Sequence, residues 1–119
     1  MAGRSTLASY EDDQAEQRFA ELKQALTVCR SYEGDSYSGP FKAMVTVETP
    51  PQVGEEAVAF REIMPMGPEQ QGDRNEQLIV VRTGNTIATF SELSMDASRS
   101  FPTELISRQV ERLRNAQRP

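Results

Sequence analysis

The 119-residue chain contains no histidine and a single cysteine, Cys29. Without histidine it lacks the usual general base and the commonest metal ligand, and the Ser-His-Asp and Cys-His arrangements of nucleophilic catalysis are excluded. One cysteine excludes an internal disulfide framework. No apolar run approaches the ~18–20 residues that a membrane-spanning helix needs. The length predicts a single domain over residues 1–119.

Lysine is also scarce, because eleven of the thirteen basic residues are arginine. The net charge is -5, and all of it belongs to residues 1–60, since residues 61–119 carry equal numbers of acidic and basic side chains. Nucleic-acid binding relies on an excess of cations that displaces counterions from phosphates. The composition therefore predicts no nucleic-acid partner, and the lack of a polybasic cluster argues against an anionic membrane surface.

The N-terminal quarter of the chain has a helical pattern over residues 5–30. The helix itself can begin later than Ser5. An apolar stripe repeats every three or four residues, and polar residues fill the positions between. Ser9 is a candidate N-cap, with Asp12 three residues later. Residues 1–8 are expected to be disordered. The stripe consists of Ala15, Phe19, Leu22, Leu26 and Cys29.

Four strands are predicted after this helix. Residues 41–49 and 57–64 alternate as half-buried strands do, and residues 77–83 form the continuous apolar run of a strand covered on both faces. Gly84 and Asn85 lie between this run and a fourth strand, residues 86–93, as in a tight hairpin. The connecting residues, namely 32–40, the exposed segment 65–76, and 95–100, are predicted to be loops.

A second amphipathic helix is predicted from Pro102 to about Ala116, because Leu105, Ile106, Val110 and Leu113 form an apolar stripe. The order is therefore α-β-β-β-β-α. The predicted fold class is α+β, a mostly antiparallel four-stranded meander flanked by an N-terminal and a C-terminal helix.

Residues that could carry chemistry are few. Acidic residues 11–13 and the pair Glu55 and Glu56 are adjacent in sequence, so their side chains point apart and do not form a preset catalytic pair. No calcium-loop motif and no glycine-rich nucleotide motif is present. The sequence thus predicts a protein that is not an enzyme, with no catalytic, cofactor-binding or metal residue and no cofactor.

Cys29 lies on the apolar stripe of the first helix, which favours a small buried side chain. An intermolecular disulfide in an oxidising compartment is the alternative.

Several side chains could line a binding surface, although core packing is the commoner role for each. They are Met44, Met64, Met66, Met95, Tyr32 and Tyr37. An apolar cleft between the sheet and a helix, with Arg61 or Arg82 at its mouth, would favour ligand binding, whereas a flat apolar patch would favour a protein partner.

Four segments resemble secreted actinobacterial lipoproteins and the related extracellular sensor domain of mycobacterial PknH-type Ser/Thr kinases. They are ELKQALTVCRSY, GEEAVAF, LIVVRTGNTIATFS and FPTELISRQVERLRNA. The resemblance extends from Leu22 to Ala116. The resemblance implies a non-enzymatic, extracytoplasmic α+β domain with a cleft for an unidentified ligand, and an export or lipid-anchor segment missing from this chain. It transfers no ligand-binding residues.

Two functions from different classes follow. The first is an extracellular or cell-surface sensor-like or ligand-binding domain of a secreted or lipid-anchored protein. The second is a cytoplasmic, acidic interaction protein, such as a chaperone or assembly factor, that acts as a homodimer. The partner is then an unknown small ligand or a protein.

Overall fold

The computed structural model describes residues 2–28, 31–36, 39–65, 73–94 and 101–117 of the chain. Within these residues the order is a strand, a helix, five further strands and a second helix. The bounds are β1 Ala2–Ser9, α1 Gln14–Val28, β2 Ser31–Ser36, β3 Gly39–Glu48, β4 Glu56–Pro65, β5 Asp73–Thr83, β6 Thr86–Ser94 and α2 Thr103–Gln117.

These strands form one antiparallel sheet in the order β1-β6-β5-β4-β3-β2. From β2 to β6, each strand pairs with the next along the chain. β1 joins at the far edge by pairing with β6 along its whole length, from Ala2 opposite Leu93 to Ser9 opposite Thr86. The segment that contains α1 therefore carries the chain from one edge of the sheet to the other.

The prediction of a four-stranded meander is wrong, because the sheet has two further strands, one at each edge. The helical pattern of residues 5–30 begins with β1, and Ser9 lies in that strand rather than capping a helix. The expectation of disorder in residues 1–8 does not hold for residues 2–8, which pair with β6. Much of the predicted loop at residues 32–40 belongs to the β2–β3 hairpin. The α+β class itself is compatible with the fold.

Two apolar clusters cover the two faces of the sheet, which we call the α1 face and the α2 face. On the α1 face, Phe19 and Leu26 pack against side chains of β3, β4 and β5. On the α2 face, Ile106 and Val110 pack against β4, β5 and β6. Successive side chains of a strand point to opposite faces, so β5 contributes Val80 to the first cluster and Ile79 and Val81 to the second. The two helices thus cover opposite faces.

Several predicted elements are confirmed. α1 buries Ala15, Phe19 and Leu26 of the predicted stripe, and β5 is covered on both faces. The Gly84–Asn85 hairpin joins β5 to β6, with Thr83 opposite Thr86. Gly84 has φ +61°, which fits a turn that needs glycine in its first central position.

Other expectations need correction or fall outside the described residues. Residues 73–76 of the expected loop 65–76 belong to β5, and Pro65 ends β4. Leu105, placed on the buried stripe of the second helix, is 46% exposed. Segments 66–72 and 95–100 and Cys29 lie outside the described residues.

Candidate functional site

A groove runs between the C-terminal half of α1 and the ends of β3 and β4. We call it the α1 groove. It encloses about 400 Å³, a volume within the range of pockets that hold small molecules. Its surface is mostly apolar. The residues that line it are Lys23, Leu26, Thr27, Val47, Glu48, Pro50, Val58 and Ala59.

The groove exists because α1 covers only part of its face of the sheet. Phe19 and Leu26 pack on Val45, Phe60 and Val80. Val47 continues the inward alternation of β3, and strand periodicity places it on the α1 face with Val45. Its side chain is nevertheless 47% exposed. An apolar strand residue that points toward the helix but lacks full cover forms the open part of the groove.

The polar side chains that line the groove already have partners. Lys23 donates to Glu56 Oε1 at 2.7 Å, and its Nζ lies 5.4 Å from the centre of the Phe19 ring. The Thr27 hydroxyl donates to the Gln24 carbonyl at 2.7 Å. A ligand therefore gains most from the apolar walls, because the polar groups would have to exchange existing hydrogen bonds.

Glu48, at the end of β3, also has partners. Its carboxylate accepts hydrogen bonds from Arg61 Nε and Gln77 Nε2, both at 3.3 Å. The Arg61 and Gln77 side chains are buried, and Gln77 Oε1 accepts the backbone N–H of Phe101 at 2.6 Å, just before α2. This polar row connects the edge of the α1 groove to the opposite helix.

A charged cluster centred on Arg82 holds α1 against the sheet beside the groove. Arg82 Nε donates to Glu56 Oε2 at 2.6 Å, and its Nη1 donates to Glu55 Oε2 at 2.8 Å and to the Gly84 carbonyl at 2.9 Å. On α1, Glu16 lies 3.8 Å from Arg82 Nη2. The cluster thus joins the helix, the start of β4 and the β5–β6 turn.

The cluster also shifts the pKa of two of its members, Glu56 and Arg82. Hydrogen bonds from Lys23 and then from Arg82 hold the pKa of the Glu56 carboxyl below its ordinary value of 4.5, although burial acts in the opposite direction. The hydrogen bond to Glu56 raises the pKa of Arg82. Both groups are therefore charged at neutral pH. The charged side chains of the cluster form ion pairs with one another.

The predicted site residues that the structure describes, including Met64, are not among those that line the groove. Arg61 and Arg82 are not among the described residues that line it, and they project from opposite faces, since Arg61 follows the Ala57 and Ala59 alternation and Arg82 follows Val80. Met44 is exposed on β3. Met66, Met95 and Tyr37 lie outside the described residues, as does the side chain of Tyr32.

Sequence reasoning missed the residues that do form the groove. Val47 and Val58 look like ordinary core positions of alternating strands, and Thr27 and Lys23 look like solvent-facing helix positions. The one available signal is the Pro50–Pro51 pair, because it ends β3 and leaves Val47 at an uncovered strand end.

The fold and the groove together define an α+β protein with an antiparallel sheet between two helices and an apolar groove beneath one of them. Comparison with known proteins found no matching family model, no similar curated protein and no similar solved structure. Among the described residues, no three acidic or cysteine side chains converge as a potential metal site. No helix in the described part of the chain is long and apolar enough to cross a membrane.

Proposed function

We propose that the protein is a non-enzymatic binding module that takes a small apolar ligand in the α1 groove. The observation that carries this proposal is the combination of about 400 Å³ of groove volume with lining polar groups that are already hydrogen-bonded. Such a site favours aliphatic or aromatic groups and offers little to a strongly polar ligand.

The setting of this module is part of the proposal. The four sequence segments that resemble actinobacterial lipoproteins and kinase sensor domains support an extracytoplasmic, sensor-like role at the cell surface. Fractionation of cells that produce the epitope-tagged native protein tests the setting. Recovery in the cytoplasmic fraction alone would contradict it and would favour the acidic interaction protein.

Ligand binding is tested with N-phenyl-1-naphthylamine, a neutral apolar fluorophore whose emission rises in an apolar site. We expect saturable binding of about one molecule per chain. Replacing Val47 by lysine puts a charge into the groove and should weaken binding at least about tenfold, which corresponds to about 1.4 kcal/mol.

Met44→Lys is the matched control for Val47→Lys. Met44 lies on the same strand, and its exposed fraction is 47%, as for Val47. The odd residue spacing places the two side chains on opposite faces, so Met44→Lys should bind the fluorophore as the wild type does. Equal loss in both variants, or fluorescence that does not saturate, would refute a site in the α1 groove.

A further inference from the structure

The outer side of β1 is an open sheet edge. Tyr10, directly after β1, donates its backbone N–H to the Asn85 carbonyl at 2.8 Å. Backbone groups alternate in direction along a strand, so the even-numbered residues of β1 point toward β6. The odd-numbered residues, including Ser5 and Leu7, point their N–H and C=O groups outward. In the described part of the chain no strand pairs with that side of β1.

This edge lacks the features that usually prevent strand addition. Its register with β6 is continuous over eight residues, without a bulge, and its sequence contains no proline and one charged residue, Arg4. The opposite edge strand, β2, carries Glu33 and Asp35 within six residues. Charged residues, prolines and bulges are the common protections of an edge. β1 is therefore the less protected of the two edges.

A second groove lies directly beside this edge, between β1 and α2, and we call it the α2 groove. It encloses about 280 Å³. Its floor includes Leu7 of β1 and Phe90 of β6, and its wall includes Arg112 and Leu113 of α2. Leu7 is 66% exposed, so the floor continues as apolar surface out to the open edge.

Among the described residues that line this groove, α2 contributes no acidic side chain. Gln109, Arg112 and Ala116 line the groove, and Leu105 precedes Gln109 by four residues, which places it on the same flank. Leu105 is one of the exposed large apolar side chains. The carboxylate that β6 contributes to this face, Glu92, is buried and is not among the described lining residues.

We propose that β1 and the α2 groove bind an extended acidic peptide of a partner protein by strand addition. The peptide would exchange backbone hydrogen bonds with Ser5 and Leu7 and place its apolar side chains in the α2 groove. Its acidic side chains would alternate with these and point to the opposite face, beside Arg4, which pairs with Ser91 and lies on the α1 face with Ile87. Main-chain bonding to an edge strand, with alternate side chains in an adjacent groove, is an established way to recognise peptides.

Charge decides between this partner and a second copy of the chain. The β1 strand of a second copy contains no acidic residue and carries Arg4. Antiparallel pairing of two β1 strands with Ser5 opposite Ser5 would place both Arg4 side chains on one face, as diagonal neighbours at roughly 7–8 Å. An acidic peptide removes this repulsion and adds attraction to Arg4.

The probe is the fluorescein-labelled octapeptide EVELEVEV, and KVKLKVKV is its charge-reversed counterpart. We expect fluorescence anisotropy to show saturable binding of the acidic peptide, at least tenfold tighter than that of the basic one. Binding should slow hydrogen exchange at the amides of Ser5 and Leu7. Equal affinity for the two peptides, no saturable binding of the acidic one, or unchanged exchange would overturn the proposal.

Two substitutions locate the site. Ser5→Pro removes an outward N–H without removing a bond to β6, and should weaken acidic-peptide binding at least tenfold. Arg4→Glu should weaken it as well, whereas Arg114→Glu, the same charge change on α2, should not. If Ser5→Pro fails to fold, the comparison of Arg4→Glu with Arg114→Glu and the exchange measurement still decide.

A second copy as the occupant would give a different result. Sedimentation would then show a concentration-dependent dimer that an excess of a peptide of residues 2–9 dissociates, and this outcome would overturn the proposal. The test is independent of the α1 groove, because Val47→Lys acts on the other face of the sheet and should leave peptide binding intact.

Discussion

Two glycines with the same backbone conformation serve different purposes. Gly54 and Gly84 have φ +66° and +61°, a region that costs other residues roughly 1–2 kcal/mol. A Cβ at Gly54 would lie 2.5 Å from Val81 Cγ1 and 2.8 Å from the Arg82 carbonyl oxygen. A Cβ at Gly84 would meet nothing closer than Gln117 atoms at 3.5 Å. Gly54 is therefore required both by its conformation and by close approach.

Substitution by alanine separates these two requirements. Gly84→Ala should lower the free energy of unfolding by about 1–2 kcal/mol, the conformational cost alone. Gly54→Ala should lose a further 1–3 kcal/mol, roughly, because it overpacks the contact between the segment before β4 and β5. Urea unfolding of both variants measures the difference. Equal losses would mean that the contact with Val81 relaxes freely.

The sequence predicted one of these residues better than the other. The Gly84–Asn85 pair sits between two apolar runs, so a tight hairpin follows from local residues alone. The local sequence gives no such signal at Gly54, because the atoms that crowd it belong to the Val81 side chain and the Arg82 backbone. The same holds for Arg82 itself, whose carboxylate partners lie on other elements. Convergence of side chains depends on topology, which local patterns do not contain.

At the scale of elements, the Arg82 cluster makes the attachment of α1 dependent on acidity. The pKa of Glu56 is lower in the folded protein than its ordinary value of 4.5, chiefly through the hydrogen bond from Lys23. A depressed carboxyl pKa contributes stability that is fully present above the unfolded-state pKa and is lost as pH falls through the folded-state pKa. The contribution of Glu56 should therefore be constant near neutrality and decline below about pH 4.5.

Glu56→Gln should lower the free energy of unfolding by about 1 kcal/mol at pH 7, because it removes the charge from hydrogen bonds to Lys23 and Arg82. The difference from the wild type should shrink as the pH falls below 4.5, since the wild-type carboxyl then becomes neutral. Urea unfolding across this pH range measures it. Glu21→Gln, which removes an equal charge from an exposed ion pair with Arg18, is the control. A difference that stays constant with pH would contradict the assigned role of Glu56.

Elements with strong local patterns were predicted, and the two edge strands were not. α1 and α2 have apolar residues at a regular spacing and β5 has a continuous apolar run, so their type follows from sequence. β1 and β2 are rich in small and polar residues, namely AGRSTLAS and SYEGDS. They become strands through pairing, and the partners of β1 lie 77 to 91 positions away along the chain, from Ser9 opposite Thr86 to Ala2 opposite Leu93. The α1 groove was missed for a related reason, because it depends on where α1 ends relative to β3.

At the scale of the whole molecule, the sheet has a separate apolar cluster on each face. The sequence predicted two amphipathic helices but left open whether they share a face. The continuous apolar run of β5 shows only that both of its faces are covered. Placing β1 at one edge and β2 at the other requires the α1 segment to span the sheet, and the clusters show that it does so on the face opposite α2.

The sheet should make the two clusters one cooperative unit while keeping their side chains energetically independent. Phe19 belongs to one cluster and Ile106 to the other, and both are fully buried. Phe19→Leu and Ile106→Val should each cost about 1 kcal/mol. Since the sheet separates the two positions, the double variant should lose the sum of the two within about 0.5 kcal/mol.

The same variants should unfold in a single transition, with coincident midpoints by circular dichroism and by tyrosine fluorescence, because losing either helix uncovers β5. Separate midpoints in the Phe19→Leu variant would mean that α1 detaches while the rest of the sheet remains folded. Coupling well above 0.5 kcal/mol would instead mean that strain passes through the sheet from one cluster to the other. If the two side-chain clusters are independent but share the central strand β5, the losses in free energy must be additive and unfolding must show one midpoint.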